Sequence, residues 1–142
     1  MNNEKFVYVT YIATTPEKTW EALTQGDLIR QWWRCEMVSD WKQGSSWQHV
    51  SDDGKTVERI GTVLESIPNK RLVFTWITPA HADDKTRHSK VSIDLEMVGE
   101  KLRFTVNHYD LTPEGLKGIS FGWPLVLSSL KSFLETGRPL VF

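Results

Sequence analysis

Ser89-Lys-Val-Ser-Ile-Asp-Leu-Glu-Met97, a Gly99-Glu100 turn, Leu102-Arg-Phe-Thr-Val-Asn-His-Tyr109 and then Thr112-Pro113-Glu114 follow one another near the C-terminus, and their succession decides the fold. In the first segment Val91, Ile93, Leu95 and Met97 alternate with Ser92, Asp94 and Glu96, the period of a strand with one buried and one wet face. The turn leads into a second strand, where Leu102, Phe104, Val106 and His108 share a face. His108 is therefore in register with an apolar set. Thr112 supplies a cap hydroxyl, Pro113 a first helical residue and Glu114 an early carboxylate. Beyond them Ile119, Trp123, Val126, Leu130, Phe133 and Leu134 fall on one helical stripe that runs down to Gly137. Gly115, Gly118, Gly122 and Pro124 weaken the first part, so the pattern predicts a kink or a late start, with the firm helix over about 124–135.

Upstream, 5–13 is β-branched and aromatic throughout and reads as a strand covered on much of both faces. Thr14-Thr15-Pro16-Glu17 starts a short helix carrying Trp20, Ala22 and Leu23, with Trp20 expected in the core. Gly26 ends it, and Asp27 is expected to cap a second helix with Leu28, Ile29, Trp32 and Trp33 on its apolar side. Short alternating segments follow at 35–39, 46–50, 57–67 and 71–77, separated by turn residues such as Asp52-Asp53-Gly54. The polar stretch 78–87 reads as an exposed, mobile loop. Strands without helical crossovers between them exclude a doubly wound sheet. The expected class is α+β, a curved antiparallel sheet of about seven strands in the order β-α-α-β-β-β-β-β-β-α around a long C-terminal helix.

A chain of 142 residues buries a sufficient core as a single domain over 1–142. Seventeen basic against 18 acidic residues, with neither sign gathered into a run, argue against a nucleic-acid partner. No stretch is long and apolar enough for a membrane span, and Met1-Asn-Asn-Glu-Lys5 lacks the apolar core of a signal peptide. With Cys35 as the one cysteine, a cytoplasmic location is expected. His49, His81 and His88 have no partners at metal-ligand spacing, and no phosphate-binding glycine loop is present, so neither metal nor cofactor is expected. Cys35 reads as a buried structural thiol. The seven Trp, at 20, 32, 33, 41, 47, 76 and 123, are the compositional oddity: the chain uses large, rigid apolar surfaces.

Ile12 to Trp20 with Thr15-Pro16-Glu17, then Ala22-Leu23-Thr24, Trp32-Trp33, Gly61-Thr-Val-Leu-Glu65, Arg71-Leu-Val-Phe-Thr-Trp76, Gly122-Trp123, Leu130-Lys131 and Leu134-Glu135 stand in an order and spacing that resembles a known family. These are the single-domain homologues of the C-terminal domain of the Hsp-90 ATPase activator, within the superfamily of START and birch-pollen-allergen-like (SRPBCC) helix-grip proteins. Gly44-Ser45-Ser46-Trp47 departs from the paired glycine usual there, and Leu102 to Asn107 from the usual Thr-rich strand.

The resemblance implies a cavity between sheet and terminal helix, with Trp33, Trp47, Trp76 and Trp123 on segments that surround it. Aromatic walls suit a small hydrophobic or aromatic ligand, although the same residues would also fill a core. Phe104 and His108 are expected to face the cavity from the last strand, and Trp123 and Val126 from the helix. His108 could bond a ligand or move a proton, while a histidine satisfied by a neighbouring hydroxyl or carbonyl explains the same position. No catalytic residue is assigned. The leading function is ligand binding. The family also implies a chaperone partner in a stress response, through stimulation of an Hsp-90-type ATPase, although no separate N-terminal chaperone-gripping domain is evident. A third reading is a polyketide-cyclase-like or hydrolase-like enzyme with His108 as base, for which no second catalytic group is visible.

Overall fold

The computed structural model describes residues 4–140, so the ends of the expected 1–142 domain lie outside the described residues. Strand β1 (Glu4–Ile12) leads to helices α1 (Pro16–Thr24) and α2 (Gly26–Trp33). Strands β2 (Glu36–Val38), β3 (Ser46–Val50), β4 (Val57–Ile67), β5 (Arg71–Trp76), β6 (Ser89–Val98) and β7 (Lys101–Leu111) follow, and α3 (Pro113–Thr136) closes the chain. The strands form one antiparallel sheet in the order β1-β7-β6-β5-β4-β3-β2. The chain is α+β, with the long terminal helix packed across the curved sheet as its element order implied.

The sheet curves because its ladders carry extra residues. Register shifts fall between His49 and Val50 on β3, between Val63 and Glu65 on β4, and between Glu4 and Phe6 on β1. Each such bulge bends its strand and increases the local twist. In β7 the extra residue falls beside Asp110, whose φ of 59° is left-handed, and the shift turns Leu111 inward.

The helices start where their caps dictate. Thr15 accepts from the Lys18 amide and Thr112 from the Gly115 amide, each followed by proline at the first helical position. Two expectations need correction here. Asp27 is not a cap: α2 starts at Gly26, and Asp27 lies in the first turn, where its carboxylate meets the positive helix end. Nor does α3 start late, since it is helical from Pro113 through Pro124 to Thr136, ending at left-handed Gly137. A well-formed cap and a buried stripe outweigh the low propensity of its glycines.

The core lies between the concave sheet face and the three helices, with Trp32, Leu102, Val106, Leu127 and Leu130 excluded from solvent. Side chains of this size contribute about 1.5–3 kcal/mol each on burial. Trp32 Nε1–H donates to the Ala22 carbonyl, and Ser129 Oγ–H to the Trp32 carbonyl, tying α1, α2 and α3 together. Trp20 is only partly buried at the edge of this core. Strand β1 is an edge strand with one exposed face, carrying Val7, Val9 and Tyr11, rather than a doubly covered one. Met97 likewise emerges into solvent at the strand end. No helix among the described residues is long and apolar enough to cross a membrane.

Candidate functional site

Between the first half of α3 and the open end of the sheet lies a cavity of about 480 Å³. Its walls are aromatic. Trp33 ends α2, where left-handed Arg34 (φ 61°) turns the chain; Trp76 ends β5; Trp123 stands midway along α3. Their ring centroids are 6.4 Å apart for Trp33 and Trp76, 5.7 Å for Trp33 and Trp123, and 5.6 Å for Trp76 and Trp123. Ile119 and Val126 complete the helical wall, together with Gly118 and Gly122. A Cβ placed on either of these glycines would meet no atom within 4 Å. Packing therefore does not require glycine at 118 or 122, yet each costs the helix about 1 kcal/mol relative to alanine. What they provide is space.

Of the residues expected at the cavity, Trp33, Trp76, Trp123 and Val126 line it. Trp47, Phe104 and His108 do not. Trp47 faces inward from β3 but lies across Gly61, its register partner, and donates from Nε1 to the Thr75 carbonyl at 2.7 Å. The rings of Phe74 (5.1 Å) and Trp76 (5.5 Å) cover it. Phe104 belongs to the deeper core, where the remaining void is only about 20 Å³.

His108 shares the face of Phe104 and is also wholly buried, one layer behind the wall. An indole nitrogen only donates, so the 3.0 Å contact from Trp123 Nε1 makes His108 Nδ1 the acceptor and leaves the ring proton on Nε2. His108 Nε2–H then donates to Ser89 Oγ at 2.8 Å, and Ser89 Oγ–H to the Trp76 carbonyl at 2.9 Å. Every polar atom in this chain has its partner. Burial, with the Arg59 charge adding to it, pushes the His108 ring down to about 3 and keeps it neutral. Neither ring nitrogen is available to a substrate.

His49 and Arg59 belong to the polar part of the cavity lining, and neither was expected there from the sequence. They are register partners across β3 and β4, while Val50 pairs with Val57, so Glu58 is the bulged residue. Strand parity was the available signal: His49 shares the inward face of Trp47, and Arg59 that of Gly61 and Val63. The Arg59 guanidinium carbon lies 5.9 Å from the Trp76 ring centroid, within cation–π range. Burial lowers the pKa of His49.

Thr78, His81 and Arg87 form part of the rim. Their loop is not featureless, containing short 3₁₀ turns at Pro79–His81 and Lys85–Arg87, the second capped by Asp84. Cys35 is buried away from this site, its thiol pushed up to about 12 by burial and by Glu58, Asp52 and Glu36. No cluster of three or more metal-ligating side chains occurs among the described residues.

A bent sheet closed by a terminal helix over an aromatic cavity defines a helix-grip protein. The family described as activator of Hsp90 ATPase homolog 1-like protein matches residues 13–135, and the chain belongs to it. No curated protein matches. Among solved structures, protein MLL2253 from Mesorhizobium loti is similar at 26% identity and a TM-score of 0.79, over 92% of this chain and 96% of that one. PFC0360w, an HSP90 activator from Plasmodium falciparum, gives a TM-score of 0.78 at 17% identity over 95% and 97% of the two chains. CalU16 from Micromonospora echinospora gives 0.77 at 20% identity, over 96% of this chain and 76% of that one. The last two are likenesses of fold.

Proposed function

We propose that this chain is a single-domain, cytoplasmic binding protein for a small hydrophobic or aromatic molecule, held between the sheet and α3. The observation that carries this reading is the pair Gly118 and Gly122, which leave open space on the cavity face of a helix that would be more stable with alanine there. Three tryptophan rings meeting within 6.4 Å supply flat apolar surface for an occupant. A second reading, stimulation of an Hsp-90-type ATPase, is favoured by the family match. It is tested separately, by adding the protein to such a chaperone and measuring ATP turnover. The enzymatic reading loses its base, because both nitrogens of His108 are bonded within the wall.

Native mass spectrometry of the wild type and Gly122→Leu, each purified from the protein's own host, tests the binding reading. A small molecule retained by the wild type and absent from the variant supports it. Equal masses of ligand on both, or none on either, count against it.

A further inference from the structure

The apolar-ligand reading leaves the polar part of the cavity unused. Arg59 Nε and His49 Nδ1 are both buried and have no hydrogen-bond partner, although the two residues face each other across β3 and β4. Burying a guanidinium N–H without an acceptor is costly, so the site calls for one. Arg59 gives one N–H to the Glu58 carbonyl and makes no ion pair among the described residues. The other cavity arginine, Arg87, is paired with Asp84 at 3.5 Å. Of the acidic side chains around the cavity, Asp110 is paired with Lys90 at 3.3 Å, while Glu58 and Glu114 forms no ion pair with Arg59. Glu58 is exposed, where water screens its charge.

We propose that the occupant is a planar aromatic monocarboxylate, its ring against Trp33, Trp76 and Trp123 and its carboxylate accepting from Arg59 Nε and His49 Nδ1–H. This deepens the binding reading and rests on it. Arg59 is pre-oriented over the Trp76 ring, so its charge lies beside the surface on which an aromatic ring would stack. One unpaired cation matches one anionic charge, and His49, kept neutral by burial, donates without adding a second. An acid and a neutral molecule of the same shape are thereby distinguished by a single residue.

The test compares 2-naphthoate with the neutral 2-naphthylmethanol, and benzoate with benzyl alcohol, on wild type, Arg59→Gln and Arg59→Lys, by calorimetry and indole N–H shift mapping. The acids should bind the wild type roughly tenfold or more tightly than the alcohols, as expected for hydrogen bonds to a charged group. Arg59→Gln should abolish that preference, the acids losing roughly tenfold more affinity than the alcohols, and Arg59→Lys should keep part of it. Equal binding of acid and alcohol to the wild type, or equal loss of both in Arg59→Gln, overturns the carboxylate proposal and leaves the apolar cavity standing. If no probe shifts the indole signals of Trp33, Trp76 and Trp123, both readings fall. Circular dichroism establishes that each variant is folded; should Arg59→Gln unfold, the wild-type comparison and Arg59→Lys decide.

Discussion

Trp123 Nε1–H donates to His108 Nδ1 at 3.0 Å, joining the helical wall of the cavity to the last strand of the sheet. Through Ser89 the same chain reaches the carbonyl of Trp76, the facing wall residue. Two cavity tryptophans are thus tied together by a histidine that lies behind the cavity wall. Its function is positional, and its loss should appear first in stability.

His108→Phe keeps an aromatic ring, slightly larger than the imidazole, but strands the Trp123 donor and leaves Ser89 Oγ without the ring N–H. Leaving a buried donor unsatisfied costs about 1–3 kcal/mol, so urea unfolding should show a loss of that size. Relative affinities for acid and alcohol probes should stay as in the wild type. An unchanged midpoint together with altered selectivity would place the ring in contact with the ligand instead.

The buried histidine also sets an acid limit. Its native pKa of about 3 lies below the ordinary value, so between the two the unfolded chain binds a proton that the native chain does not. The stabilisation is complete above about pH 6.5 and is lost progressively as the pH falls towards about 3. From pH 7 to 5 the wild type should lose about 2 kcal/mol on this account, and His108→Phe should flatten the slope. His49, also lowered, acts in the same direction. Asp53, Asp84 and Glu135 are held low by hydrogen bonds, and their contributions disappear only below about pH 4. Denaturant midpoints measured from pH 7 to 5 therefore report the histidines.

Gly61 is the glycine the sheet cannot replace. A Cβ there would lie 2.1 Å from the Thr75 carbonyl and 2.4 Å from Trp47 Nε1, within the hydrogen bond those two atoms share. Gly61→Ala should cost roughly 3 kcal/mol or more, at the upper end of overpacking penalties. Gly118→Ala, into open space on α3, should instead stabilise by about 1 kcal/mol. Thermal unfolding of the two variants should give shifts of opposite sign.

Alternation made the sheet legible: Leu102 to His108 lies on the inward face the sequence assigned to it, and Thr112-Pro113 starts α3 where its chemistry requires. Strand parity states which face a side chain takes but not how deep it sits. For that reason Trp47, Phe104 and His108 were expected at the cavity and lie behind its wall. Depth depends on contacts between distant segments, such as Trp47 crossing Gly61 to reach Thr75, which no local pattern encodes. The same holds for the α3 glycines. In sequence they read as helix weakness, and only the packed structure places Gly118 and Gly122 on the cavity side of the helix. Arg59 was missed because a lone arginine in a strand normally points to water; the bulge at Glu58 and the Trp76 ring set it among the cavity walls.

The most direct test of the cavity is a proton–nitrogen titration of the wild type and Gly122→Leu with 2-naphthylmethanol, a probe that does not depend on the Arg59 proposal. Saturable shifts should appear at the indole N–H signals of Trp33, Trp76 and Trp123, and should vanish in Gly122→Leu while its thermal midpoint holds. Shifts confined to the exposed face of β1 around Val7, Val9 and Tyr11, or persisting unchanged in Gly122→Leu, would contradict the account.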